Sequence, residues 1–197
     1  MDFCFRGMGN GLRKNFVYLC RGNKTEKQMK LSDFTTTEEM LAHYKLTAQS
    51  SRFIDFDQIQ PIPLSPSVLE DFDFLLSNRG KMDMEAFACE ALIFPILKEV
   101  WKRNRKLKVF SHIQIKFEDM ILVPDYVVTP KDKIGLNSFK TPLLITVEAK
   151  NDDFALGWSD AYKQLVVARL LNKNNEIPIY AIVSIGEGWQ IGRQYYL

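Results

Sequence analysis

The sequence predicts a mixed α/β domain in the order helix, three strands, helix, two strands (α-β-β-β-α-β-β), behind a partly helical N-terminal extension. Three observations predict it. Apolar residues recur at helical spacing over 83–103 and again over 159–172. Around those segments lie runs of strand length, alternating or continuously apolar and bounded by turn residues. The second helical segment also separates three strand runs from a fourth, 177–185, which a helical crossover can place parallel to one of them in the same sheet.

Residues 1–80 read as the extension and 81–197 as the main domain. Residues 1–30 are rich in glycine and lysine and read as a weakly structured basic arm. Gly7, Gly9 and Gly11 have no preceding strand and no βαβ unit after them, so they are not a dinucleotide fingerprint. Thr36 and Glu39 form a capping-box pattern that opens a short helix over 37–46. Pro61 and Pro63 mark a loop, and Ser65-Pro66 suits the N-cap and first turn of a second helix ending near Leu76. Residues 77–82 read as a boundary.

In the main domain, Phe87, Ala91, Phe94, Leu97 and Trp101 form the apolar stripe of the first long helix, widened by Ala88, Leu92 and Ile96. Pro95 lies inside it and predicts a kink. Strands follow over 108–117, with a break at Phe110-Ser111, then 120–128 and 143–149. The Pro- and Gly-containing stretch 129–142 reads as a long turn. Ala161, Leu165, Ala168 and Leu170 or Leu171 face inward from the second helix. Strands over 177–185 and 189–195 flank the turn Gly186-Glu187-Gly188.

Composition narrows the function. No apolar run approaches the ~20 residues that a membrane helix needs, and residues 1–10 lack the apolar stretch of a secretory signal. Cys4, Cys20 and Cys89 are scattered and form no CxxC pair, which points to a reducing, cytoplasmic setting. Two histidines, His43 and His112, leave no His-rich metal centre, and His112 reads as an ordinary strand residue. The net charge is only +2, but residues 1–30 carry seven basic and two acidic side chains, and 31–80 carry three and eight. Lys102, Arg103, Arg105, Lys106 and Lys108 form a tight basic run. It suits a solvated helix end, and DNA phosphate is the functional alternative.

Two short patterns carry chemistry. Pro124-Asp125 interrupts a hydrophobic strand, where an unpartnered carboxylate would be costly. Glu148-Ala149-Lys150 ends another strand, and alternation puts Glu148, Lys150 and Thr146 on one face with Ile145, Val147 and Ala149 on the other. Asp125 and Glu148 together suit Mg²⁺ or Mn²⁺, hard ions that prefer oxygen ligands. Lys150 beside such an ion can orient or deprotonate a water, or neutralise charge in a transition state. A plain ion pair at a strand end is the bland alternative.

Val123-Pro124-Asp125-Tyr126 and Val147-Glu148-Ala149-Lys150, on consecutive strands after a long helix, resemble the PD-(D/E)xK superfamily of restriction-endonuclease-like nucleases. The closest likeness is to the N-terminal nuclease domain of type I restriction-enzyme motor subunits and their small bacterial relatives. Glu85 ahead of Ile93, Pro95 and Leu97, Gln164 in the following helix, and Gly186-Glu187-Gly188-Trp189 fit that pattern, which covers roughly residues 83–195. The resemblance implies a restriction-endonuclease-like sheet and metal held by Asp125, Glu148, Glu85 (alternatively Glu90) and the Ala149 carbonyl. It also implies that Lys150 assists hydrolysis and Gln164 supports the site. The expected activity is Mg²⁺- or Mn²⁺-dependent cleavage of DNA, by a homodimer or within a larger nuclease complex. The competing expectation is a non-catalytic nucleic-acid- or protein-binding module on the same fold. The segment from Asp125 to Glu148 is long for the pattern and accommodates a hairpin insertion, and residues 1–80 match no part of it.

Overall fold

The structure, a computed structural model, describes residues 15–19, 33–44, 46–50, 53–78, 85–131, 141–173 and 177–196. Gly7, Gly9, Gly11, Cys4, Cys20 and most of the expected turn at 129–142 lie outside the described residues, as do 79–82 of the expected boundary. The elements in chain order are β1 (Asn15–Leu19), α1 (Thr37–His43), β2 (Leu46–Ser50), α2 (Pro66–Ser77), α3 (85–103), β3 (Leu107–Ser111), β4 (Ile115–Phe117), β5 (Met120–Leu122), β6 (Tyr126–Pro130), β7 (Ile145–Ala149), α4 (Phe154–Asn172), β8 (Ile179–Ser184) and β9 (Trp189–Tyr196). Among the described residues no helix is long and apolar enough to cross a membrane.

The chain is a mixed α/β protein built on one seven-stranded sheet, β2-β1-β9-β8-β7-β6-β3. β7 and β8 are parallel, joined by α4 as crossover, and β1 is parallel to β9; the other neighbours are antiparallel. The extension contains the two expected short helices, but it is also part of the sheet. Residues 15–19, read as arm, and 46–50, where the first helix was expected to end, add two strands at one side of the sheet, with 46–50 outermost. α1 therefore stops at His43. Its cap is as expected, with Glu39 N donating to Thr36 Oγ1 at 3.1 Å. Ser65 makes no side-chain cap; its hydroxyl donates to Glu99 Oε1 at 3.4 Å instead.

The two strands expected over 108–117 and 120–128 are each broken in two. His112, at φ +49°, turns the chain out of β3, and Pro124, which has no N–H for a ladder, separates β5 from β6. The freed middle pieces pair as a small hairpin of their own, turned at Glu118 with φ +53°. Its Ile115 is buried in the core on the α4 side of the sheet, with Phe117, Met120 and Leu122 packed against the same core.

α3 differs from a regular helix in a way that matters for the site. It is α-helical over Glu85–Phe87, π-helical over Ala88–Ile93, and α-helical again over Phe94–Arg103. Pro95, where a kink was expected, directly follows the π turn, and its missing N–H leaves one carbonyl of the preceding turn without a ladder partner. The π turn inserts extra backbone and so rotates the stripe. The fully buried apolar residues are Cys89 and Ile93, while Phe87, Ala91 and Trp101 of the expected stripe are half-buried.

α4 starts five residues earlier than expected, because Asp153 caps it by accepting from Ala155 N at 2.7 Å and Leu156 N at 3.2 Å. Ala161, Leu165 and Ala168 face inward as expected. Trp158, Tyr162, Val166 and Val167 are buried too, because α4 lies between the sheet and a layer that includes α1. Thr37 Oγ1 and Ser159 Oγ share a 2.7 Å hydrogen bond across that contact. At its far end, Asn172 acts as a substitute strand: its Nδ2 donates to Leu143 O at 2.8 Å, and its Oδ1 accepts from Leu143 N at 2.7 Å. Both bonds are buried, so Asn172→Leu leaves two backbone groups unpaired. It should cost about 2–4 kcal/mol in a denaturant titration; a loss under about 0.5 kcal/mol would contradict this role for Asn172.

Candidate metal and catalytic centre

β7 brings its chemistry to one end of the sheet. The β6–β7 ladder runs from Val128 opposite Ile145 to Tyr126 opposite Val147. One residue beyond, Asp125 Oδ2 accepts from Ala149 N at 2.7 Å, so a side chain continues the ladder where Pro124 has ended the strand. In an extended strand a residue's N–H and C=O lie on the same edge. The Ala149 carbonyl therefore lies on the Asp125 edge, where the sequence resemblance would have it.

Glu148 and Lys150 project together as alternation requires. Lys150 Nζ donates to Glu148 Oε1 at 2.7 Å, and Gln164 Nε2, from α4, donates to Glu148 Oε2 at 2.7 Å. Lys150 Nζ also lies 3.7 Å from Glu85 Oε1 and 3.5 Å from Asp160 Oδ2. Gly157 makes this approach possible: a Cβ there would overlap Val183 Cγ1 and sit 3.3 Å from Lys150 Cγ. The structure thus gathers Asp125, Glu148, Lys150, Gln164 and Glu85. Of the two alternatives on α3, Glu85 is the one beside Lys150, whereas Glu90 is exposed on the π turn. Asp160, one turn before Gln164 on α4, was not anticipated; nothing in its spacing distinguishes it from a surface acid.

The electrostatics are lopsided. Glu85, Asp125, Glu148 and Asp160 supply four carboxylates against the ammonium groups of Lys150 and Lys163, the latter 3.5 Å from Asp160. Burial pushes the Glu148 carboxyl above its ordinary range despite the Lys150 and Gln164 hydrogen bonds, and Asp125 adds to the push. For Lys150, burial alone would lower the pKa. The Glu148 hydrogen bond and the charges of Glu148, Glu85 and Asp160 outweigh it, and the group is held as an ammonium ion. In this arrangement Lys150 is a cation that donates to Glu148. Buried Gln164 Oε1 has no hydrogen-bond partner. Surplus carboxylate and a spare acceptor suit a hard divalent cation with its waters.

The basic run lies elsewhere. Lys102 Nζ is 2.6 Å from buried Glu99 Oε1, Arg103 pairs with Glu99 and donates to Pro63 O, and Lys108 covers the Phe110 ring at 4.6 Å. Arg105 and Lys106 are exposed, but at the start of β3, whose opposite end carries His112. Five residues of strand put the run about 17 Å from the site.

His112 is not the ordinary strand residue expected. Its Nε2 is 3.2 Å from Asp125 Oδ1, its N donates to Asp125 O at 2.9 Å, and its Nδ1 shares a 2.7 Å hydrogen bond with Ser111 Oγ. Cys89, 1% exposed, completes a cluster in which one ligand atom each from Cys89, His112 and Asp125 lie within 4.8 Å of one another. Burial and the neighbouring Asp125 push the Cys89 thiol up to about 12. No sequence motif joins these three residues; only the fold does. No family model, curated protein or solved structure matches this chain.

Two outcomes follow from this geometry. Gly157→Ala should lower stability by about 1–3 kcal/mol although alanine is the better helix former, because Val183 is stiff and cannot yield; a gain in melting temperature would contradict the close approach. A carboxyl raised in the folded state adds stability in its protonated form, fully present below its unfolded pKa and lost as pH rises through its folded pKa. Lys150 stays charged throughout that window. The melting temperature of Glu148→Gln relative to wild type should therefore rise as pH climbs above the ordinary carboxylate range, and a flat difference would contradict it.

Proposed function

We propose that this chain is a divalent-metal-dependent nuclease with a restriction-endonuclease-like core, hydrolysing phosphodiester bonds in DNA. The observation that carries the reading is the meeting of Asp125, Glu148, Lys150, Gln164 and Glu85, drawn from four parts of the chain, at the carboxyl end of β7. That end of an open α/β sheet is where such folds place their ligands. The sequence resemblance to PD-(D/E)xK nucleases names the same residues.

Asp125, Glu148, the Ala149 carbonyl and, through water, Glu85 would hold Mg²⁺ or Mn²⁺. When bound, such an ion lowers the pKa of water and polarises a phosphoryl oxygen. The protein's own groups do the rest. Asp125 is fixed by Ala149 N, so its other oxygen has a set direction. Gln164 holds one Glu148 oxygen, leaving the second with Lys150. The Lys150 ammonium would donate to a non-bridging phosphate oxygen as negative charge builds there, which is worth most in a site sheltered from water. With the basic run about 17 Å away, Arg105 and Lys106 would meet backbone about five phosphates from the scissile bond.

The test is cleavage of supercoiled plasmid and single-stranded DNA with Mg²⁺, Mn²⁺ or a chelator. Wild type should cut only with metal, and Asp125→Asn and Lys150→Ala should each lose at least about 100-fold. Folded wild type that binds neither ion would overturn the reading in favour of a non-catalytic module.

A further inference from the structure

The hard-ion reading uses Asp125 but leaves Cys89 and His112 unexplained. Three features of the fold converge on them. Cys89 lies in the π-helical segment, and such single-turn insertions concentrate at functional sites. Its carbonyl receives both the π bond from Phe94 N and a 2.9 Å hydrogen bond from Tyr126 Oη, which fixes the backbone there. His112 is held in the left-handed region at φ +49°, a conformation uncommon for a non-glycine residue. Asp125 is anchored through its other oxygen.

We propose that Cys89 Sγ, His112 Nε2 and Asp125 Oδ1 form a site for a borderline divalent ion of the Zn²⁺ class, distinct in chemistry from the hard-ion site and sharing Asp125 with it. One sulfur, one imidazole and one carboxylate match the ligands such ions take, and three protein ligands leave a fourth position open. Ligand atoms around a tetrahedral ion stand about 3.3–3.8 Å apart. His112 Nε2 and Asp125 Oδ1 are already 3.2 Å apart, and the whole set spans no more than 4.8 Å, so a small movement of Cys89 closes it. Ser111 Oγ can accept from Nδ1–H when Nε2 is a ligand and donate to Nδ1 when it is not, so it serves the imidazole in both states. The His112 side chain is 56% exposed, so an ion arriving from solvent meets that ligand first. Given the nuclease reading, zinc and the hard ion compete for Asp125, and zinc inhibits.

The test is titration of the full chain with Co²⁺ alone, followed by absorption, with Zn²⁺ added back. Wild type should bind one equivalent with a thiolate-to-cobalt charge-transfer band that zinc abolishes. Cys89→Ser should lose that band. His112→Asn, whose new residue tolerates the left-handed backbone and so keeps the fold, should bind at least tenfold more weakly. Glu148→Gln should keep the band. A folded wild type without the band, or a band that survives Cys89→Ser, overturns the site. The band without cleavage of any DNA removes the nuclease reading and leaves this site standing; metal-dependent cleavage without the band does the reverse.

Discussion

The hydrogen bond from Ala149 N to Asp125 Oδ2 is the contact on which the site depends. Pro124 ends the β6 ladder just before the point where β7 carries Glu148, Ala149 and Lys150, and a buried amide there needs an acceptor. An unpaired buried N–H costs about 1–3 kcal/mol. The Asp125 side chain supplies the acceptor that backbone no longer can. One bond therefore satisfies the strand, aims a carboxylate along the sheet edge, and sets where everything else converges. His112 then docks through its own amide on Asp125 O, and Cys89 approaches from α3.

The surroundings depart from regular structure at several neighbouring points. α3 slips into a π turn at Cys89, His112 takes a left-handed backbone, and α4 carries a glycine where it presses on Val183 and Lys150. Carboxylates outnumber ammonium groups, and burial disfavours the charged form of Glu148. Each departure opposes stability locally, and such departures are expected where a fold accommodates a site. The rest of the core is conventional: apolar residues of α4 and β8, with Val127 of β6, pack on one face of the sheet, and Cys89, Ile93, Tyr126, Val147 and Ala149 on the other.

Much of the architecture was legible from short-range pattern. Alternation assigned Glu148 and Lys150 to one face, and helical periodicity picked out Ala161, Leu165 and Ala168. The crossover rule anticipated that β8 would lie parallel to one of the three preceding strands, and the structure makes that strand β7. The failures share a cause. The strands β1 and β2 have no strong alternation, and they join the sheet because β9 offers a free edge. The small hairpin exists because Pro124 and His112 cut two apparently continuous strands. The basic run, read as a solvated helix end with DNA phosphate as the alternative, has two of its members taken by Glu99.

The sequence by itself located the two long helices and the strand-forming runs around them, and picked out Asp125, Glu148 and Lys150 as side chains that could do chemistry, because alternation and helical period are local properties of the chain. It also narrowed the helix acid to Glu85 or Glu90. Tertiary structure alone chose Glu85, brought Asp160 to Lys150, set the basic run at the far end of β3, and joined Cys89 and His112 to Asp125. Those choices depend on strand register, on the rotation that a π turn imposes on α3, and on a backbone turn at one histidine. They are properties of how elements meet, which no spacing within a single element encodes.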